Sequence, residues 1–249
     1  MASITRAFSA LPRRKRSATT SSTFTAPTLP TACGSLRPEG ASWPTGPGGL
    51  LLRTEEAEYG YDQGSRRTRV TTRAGDETTY LWDCRDQLRE VDLPDGRRVI
   101  YCYDAFGRRV RKEILPPRPD PAAPPGPPRI IQYLWDGDTL AAEVDSERGT
   151  RVFVLDQAHL VPLIHEEQGE VFVYTHDQVF TPKELIGEDG AVAWSAAHSP
   201  WGRVLAEEQP AGKSRARPLS SPFRLLGQYH DEETGLCYTR FRYFDPETV

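Results

Sequence analysis

The chain reads as an all-β protein built from stacked antiparallel hairpins, preceded by a disordered N-terminal arm. Three observations predict this. Four segments repeat one pattern of aromatic, spacer, aromatic and aspartate: Tyr59-Gly-Tyr61-Asp62, Tyr80-Leu-Trp82-Asp83, Tyr101-Cys-Tyr103-Asp104 and Tyr133-Leu-Trp135-Asp136. The first three recur every 21 residues, from Tyr61 to Trp82 to Tyr103, and a fixed period marks an architecture whose units bury their apolar faces by stacking. Composition agrees: 22 Pro, 20 Gly and a single Met suit turns and strands better than a helical bundle.

Residues 1–48 read as a separate leader. They are rich in Ser, Thr, Pro and Arg, and show neither strand nor helix periodicity, so disorder is expected. The basic run Arg13-Arg14-Lys15-Arg16 leads into Ser17-Ala18-Thr19-Thr20, which is not the apolar core of a secretory signal. An organelle transit peptide fits poorly, because Pro27 and Pro30 interrupt the segment and no amphipathic face forms. A start or reading frame foreign to the body is a third reading. The leader's six cations face only Glu39, so within a net charge of −4 the body is acidic. An acidic body is a poor nonspecific nucleic-acid binder, since that affinity comes from neutralising phosphates.

From Gly49 to Leu115 strand and turn signals alternate. Arg69-Val70-Thr71-Thr72-Arg73 turns at Ala74-Gly75-Asp76 and resumes as Thr78-Thr79-Tyr80-Leu81-Trp82. The next unit runs Leu88 to Leu93, turns at Pro94-Asp95-Gly96, and returns through Arg98 to Tyr103. Each unit is a hairpin. Aromatics at i and i+2 share one strand face, so like rings are expected to stack in columns from repeat to repeat. The aspartate closes the turn by accepting N–H groups two or three residues on, and Gly107 supplies a positive φ. Ser65, Asp86 and Thr139 replace that glycine in the degenerate units. Asp62, Asp83, Asp104 and Asp136 would sit one per rung, which argues against a metal or acid–base set.

Residues 116–129 hold Pro116-Pro117-Arg118-Pro119-Asp120-Pro121 and Pro124-Pro125-Gly126-Pro127-Pro128, where missing N–H donors forbid ladder pairing. This is a loop inserted between hairpins. Such a segment could meet an SH3-like or WW-like groove, but exclusion to the surface explains it fully. Residues 130–249 continue strand and turn grammar without the strict period, through Val152, Val171-Phe172-Val173-Tyr174 and Val192-Ala193-Trp194.

Candidate chemistry is sparse. Cys33, Cys84, Cys102 and Cys237 show no metal-ligand spacing. Ser199, His198 and Asp177 supply nucleophile, base and acid types without a nucleophile elbow or oxyanion-hole glycines. His159, His165, His176, His198 and His230 make no i, i+4 pair on a helix. Glu233-Thr234-Gly235 reads as a turn, and Asp245 alone defines no site. No stretch reaches the ~18 apolar residues of a membrane span. No cofactor, metal or catalytic residue is expected. Tyr61, Trp82, Tyr103 and Trp135 are the candidates for sugar stacking.

The aromatic–aspartate units, read with Asp177 to Leu185, Asp189-Gly190-Ala191-Val192-Ala193-Trp194, Trp201-Gly202, Phe223-Arg224-Leu225-Leu226-Gly227-Gln228-Tyr229 and Asp231-Glu232-Glu233-Thr234-Gly235-Leu236, resemble the Rhs (rearrangement hotspot) or YD-repeat family. Tyr238-Thr239-Arg240-Phe241-Arg242-Tyr243-Phe244-Asp245-Pro246 strengthens the likeness, which covers Gly49 to Val249. The resemblance implies the C-terminal part of a β-sheet shell that encloses a C-terminal polymorphic toxin. The family's self-cleavage motif and toxin would follow Val249, so no catalytic residue carries over. The expected function is therefore that of a non-catalytic shell fragment, one reading being a gene remnant. Its partners would be a toxin domain, the remaining shell or a secretion-system spike protein. Export would follow a cytoplasmic stage, through a type VI or contact-dependent route without a signal peptide. The competing expectation is a carbohydrate- or cell-surface-binding module whose partner is a glycan.

Overall fold

The computed structural model describes residues 43–118, 124, 126–209 and 217–248. The expected leader lies outside these up to residue 42, as do Cys33 and part of the proline-rich loop. The described residues form a fourteen-stranded antiparallel sheet in strict sequence order and a separate three-stranded sheet. The all-β, stacked-hairpin expectation holds.

Seven hairpins make the large sheet. They are β1 (Ala57–Tyr61) with β2 (Arg67–Thr72), β3 (Glu77–Trp82) with β4 (Leu88–Asp92), β5 (Arg98–Tyr103) with β6 (Arg109–Leu115), and β7 (Arg129–Asp136) with β8 (Thr139–Asp145). Then follow β9 (Gly149–Asp156) with β10 (Val161–Glu167), β11 (Glu170–His176) with β12 (Pro182–Gly187), and β13 (Val192–His198) with β14 (Val204–Glu208). The hairpins run on past Trp135 without the strict 21-residue spacing. Phe153-Val-Leu155-Asp156, Tyr174-Thr-His176-Asp177 and Ala196-Ala-His198-Ser199 occupy the same place in later hairpins, with the second ring relaxed to Leu or His and, in the last, the first ring replaced by Ala196. β6 pairs directly with β7, from Arg111↔Gln132 to Ile114↔Arg129.

Two local devices recur. In the first, an acceptor side chain closes the turn: Asp104 Oδ1 accepts from the Phe106 and Arg108 N–H groups, both at 2.9 Å. Asp62, Asp83 and Asp177 do the same, and the Ser199 hydroxyl replaces the carboxylate in the last hairpin. The acceptors thus reach two and four residues on, where two or three were expected. Asp136 differs, taking the Thr139 hydroxyl on its main-chain carbonyl. The positive-φ position is Gly107 in one turn but Ser65, Asp86 and Phe180 in others, at φ of 64, 61 and 61. The Asx geometry carries a left-handed residue even where a side chain opposes it.

The second device is a bulge. In all seven hairpins one extra residue is inserted on the returning strand, opposite the end of the aromatic unit: Thr68, Arg89, Val110, Ala141, Leu163, Lys183 and Leu205. A bulge frees a backbone carbonyl from the ladder and re-aims the adjoining side chain. Both consequences are used. Trp82 Nε1 donates to the Arg67 carbonyl at 2.7 Å, Tyr103 Oη to that of Leu88 at 2.8 Å, and Trp135 Nε1 to that of Arg109 at 2.8 Å. Successive rungs are thus tied by ring tips to the backbone of the preceding hairpin. The expected ring-on-ring columns are replaced by this link, because the ring faces are taken up by a second layer.

That layer is β15 (Tyr229–His230), β16 (Cys237–Thr239) and β17 (Arg242–Phe244), in order. Its rings meet those of the large sheet edge to face. Trp82 packs on Tyr243 at 6.5 Å, Tyr133 on Tyr229 at 5.3 Å and Trp135 on Tyr238 at 6.4 Å between centroids. Leu88, Val91, Val99, Tyr101, Leu185 and Trp194 are fully buried on the same core face.

Asp104→Ala should destabilise the chain by about 1–2 kcal/mol, because two N–H groups lose their acceptor. Gly107→Ala should cost about 1 kcal/mol, its φ of +78° being the left-handed region. Chemical denaturation checks both, and unchanged midpoints would remove the turn from the account.

Candidate functional site

The most unusual chemistry lies in the seam between the two layers. Alternation alone would send Arg109 and Lys112 to opposite faces of β6, but the extra residue Val110 between them turns both to the core. There they are 1% and 2% exposed. Asp231, fully buried and just past β15, receives both cations: Arg109 at 2.5 Å and Lys112 at 3.0 Å. Lys112 also reaches Glu233 at 2.7 Å, so the set of two cations and two carboxylates is neutral. Burial alone would raise the Asp231 carboxyl, yet the two adjacent cations hold it below the usual range.

Arg109 sits in a cage of tyrosines. Its guanidinium carbon lies 4.5 Å from the Tyr238 ring, 4.7 Å from Tyr133, and 5.3 Å from both Tyr101 and Tyr229. Tyr238 Oη also accepts the Arg109 N–H at 3.0 Å. Cation–π attraction is strongest where water is excluded, as here.

Neighbouring pairs extend the seam along the sheet. Glu143, 1% exposed, takes Arg151 Nε on one oxygen and the Tyr229 hydroxyl on the other, both at 2.6 Å. Arg129 binds Asp145, Arg148 binds Glu232, and Arg67 of β2 binds Asp245 beyond β17 at 2.6 Å. A cavity of about 180 Å³ opens beside Lys112, Glu143, Arg151 and Arg224. Its arginines Arg129, Arg148 and Arg151 are already paired with carboxylates, and Arg224 donates to the Ser221 and Phe223 carbonyls. Among the described residues no group of His, Cys, Asp and Glu is placed to hold a metal.

The sequence-derived candidates fall into this frame. Tyr61, Trp82, Tyr103 and Trp135 are all partly buried, and each donates to a main-chain carbonyl of the protein. Tyr103 also shares a hydrogen bond with Tyr243 at 2.8 Å. Asp177 and Ser199 stand at equivalent positions of two different turns, so no triad assembles with His198. Glu233 and Asp245 are ion-pair partners of Lys112 and Arg67. Cys84, Cys102 and Cys237 are free thiols. Sequence reading missed Arg109, Lys112, Glu143, Arg151 and Asp231. Only the bulge, recurring opposite the aromatic unit, could have pointed to the first two.

Asp231→Ala leaves Arg109 and Lys112 buried with one carboxylate between them. Breaking such a set costs about 3–5 kcal/mol, and denaturant unfolding should show a loss of that size. A loss under about 1 kcal/mol, typical of a surface pair, would contradict the burial. Acid should act earlier through histidine. Burial and the neighbouring Arg224 hold His198 and His230 down to about 4 from an ordinary 6.5. Between those values the unfolded chain binds more protons than the folded one. Stability is therefore complete above pH 6.5 and falls as pH drops toward 4. Melting temperatures across that window should decline, with a shallower slope in His198→Gln/His230→Gln.

Comparison with known proteins agrees with this architecture. Residues 171–208 match the family described as RHS protein. The chain is 37% identical over 210 residues to the probable deoxyribonuclease RhsA of Dickeya dadantii, covering 80% of this chain and 14% of that protein. It is 32% identical over 211 residues to the toxin protein Tse5 of Pseudomonas aeruginosa, covering 70% of this chain and 15% of that protein. The crystal structure of TcdB2-TccC3-Cdc42 shares the fold, with a TM-score of 0.51 and 15% identity over 76% of this chain and 12% of that one. The chain thus spans about one-seventh of the length of the relatives it matches. With its aromatic–aspartate hairpins and the C-terminal strands locked to them, the chain belongs to the Rhs family.

Proposed function

We propose that this chain is a non-catalytic part of an Rhs-type toxin shell, contributing wall to a compartment that encapsulates or delivers a toxin. Its partners would be the toxin domain and the rest of the shell. The observation that carries the reading is the seam: buried acids and bases are spent on tying one sheet to another, and the aspartates of the repeat on closing turns. Asp231, Glu233 and Glu143 hold buried cations, and Asp62, Asp83, Asp104 and Asp177 hold turns. A wall needs that kind of rigidity, since a repeat sheet gains stability only through its neighbours.

The test is a graft. Residues 43–248 replace the matching segment of the Dickeya dadantii RhsA protein, and added protease then probes the portion of that protein expected to be enclosed. Protection equal to the parent's supports a wall role, and the same graft carrying Asp231→Ala should lose it. Digestion of that portion while the grafted segment itself stays intact would defeat the reading.

A further inference from the structure

The two halves of the large sheet differ on the face opposite the core. On β2–β6 that face carries ion pairs: Arg98 with Glu90 and Asp92 and Arg69 with Glu77 across strands, and Arg111 with Glu113 along β6. On β9–β13 it is aliphatic. Direct register places Val154, Ile164, Val173, Ile186 and Val192 side by side across five strands. A parallel row runs Leu134, Ala142, Val152, Glu166, Val171 across β7–β11. Val173 is 53% exposed, Leu134 50%, Val154 49% and Val152 40%. Isolated exposed aliphatics are ordinary, but two adjoining rows form a continuous patch, which marks an interaction surface.

We propose that this face of β7–β13 pairs with the same face of a second copy of the chain, sheet against sheet. Three features favour a copy over other occupants. The patch presents on the order of 500 Å² of apolar surface, so two copies bury about 1,000 Å² before any rim contact, the lower bound for a specific interface. It is an aliphatic sheet face, whose natural complement is another such face packed about 10 Å away, as in a β-sandwich. Its one charged member, Glu166, already accepts from the Gly169 N–H, as does Glu184 beside it from the Thr175 hydroxyl. Cations and interfacial aromatics, which a membrane-binding surface uses, are missing from both rows. This inference does not depend on the shell reading.

Sedimentation velocity on the full chain across the micromolar range tests it. The native chain should show a monomer–dimer equilibrium, and Val154→Lys/Val173→Lys should sediment as a monomer. Val154→Thr/Val173→Thr, which keeps strand shape, should weaken association at least tenfold. Leu205→Lys at the free edge of β14 should leave the dimer unchanged, since edge pairing is the rival route to association. A native chain that stays monomeric at all concentrations would overturn the proposal. So would loss of the dimer only in Leu205→Lys, dimerisation appearing only after removal of residues 1–42, or flotation with neutral phosphatidylcholine vesicles.

Discussion

The structure depends on Asp231, a carboxylate with no exposure that receives Arg109 and Lys112 from the large sheet. Burying three charges is unfavourable unless each meets an opposite charge and its remaining hydrogen-bonding capacity is filled. Here Glu233 balances the second cation, and the tyrosine cage covers the guanidinium with aromatic faces. The three short C-terminal strands have too little ladder of their own to be stable. Their order is borrowed from the sheet beneath, through this set and through the rings of Tyr229, Tyr238 and Tyr243.

The sheet supplies those partners because its hairpins are irregular in a regular way. Each Asx-type turn sets the chain reversal, and each bulge on the returning strand then lets one residue face the core that simple alternation would send elsewhere. In the third hairpin that residue is Arg109. In the first it is Arg67, bound to Asp245, and in the second it is Leu88, fully buried. One geometrical device thus presents charge or aliphatic bulk to the core according to the sequence at that position. The freed carbonyl beside it accepts from the next aromatic tip, so joining rungs and preparing the seam are done by the same backbone irregularity.

Local features were legible in the sequence, and long-range ones were not. Strand alternation and the turn role of Asp104 follow from residues within a few positions of one another. The faces of Tyr101 and Trp135 were read correctly as sharing one side, but their partners lie more than 100 residues away in Tyr243 and Tyr238. Nothing local names those. The direction of Arg109 and Lys112 is not legible locally, because a single inserted residue decides it. In the later repeats His176 and His198 stand where the earlier units carry Tyr or Trp, although the bulge and the turn acceptor persist.

The central claim is that the two layers form one cooperative unit through the Asp231 set. Native-state hydrogen exchange of the full chain tests it most directly. The account predicts that the amides of Cys237–Thr239 and those of β5 and β6 open with the same free energy and the same denaturant dependence. Exchange of the C-terminal strands at a much lower free energy, with the sheet still protected, would show that the seam does not hold the fold together.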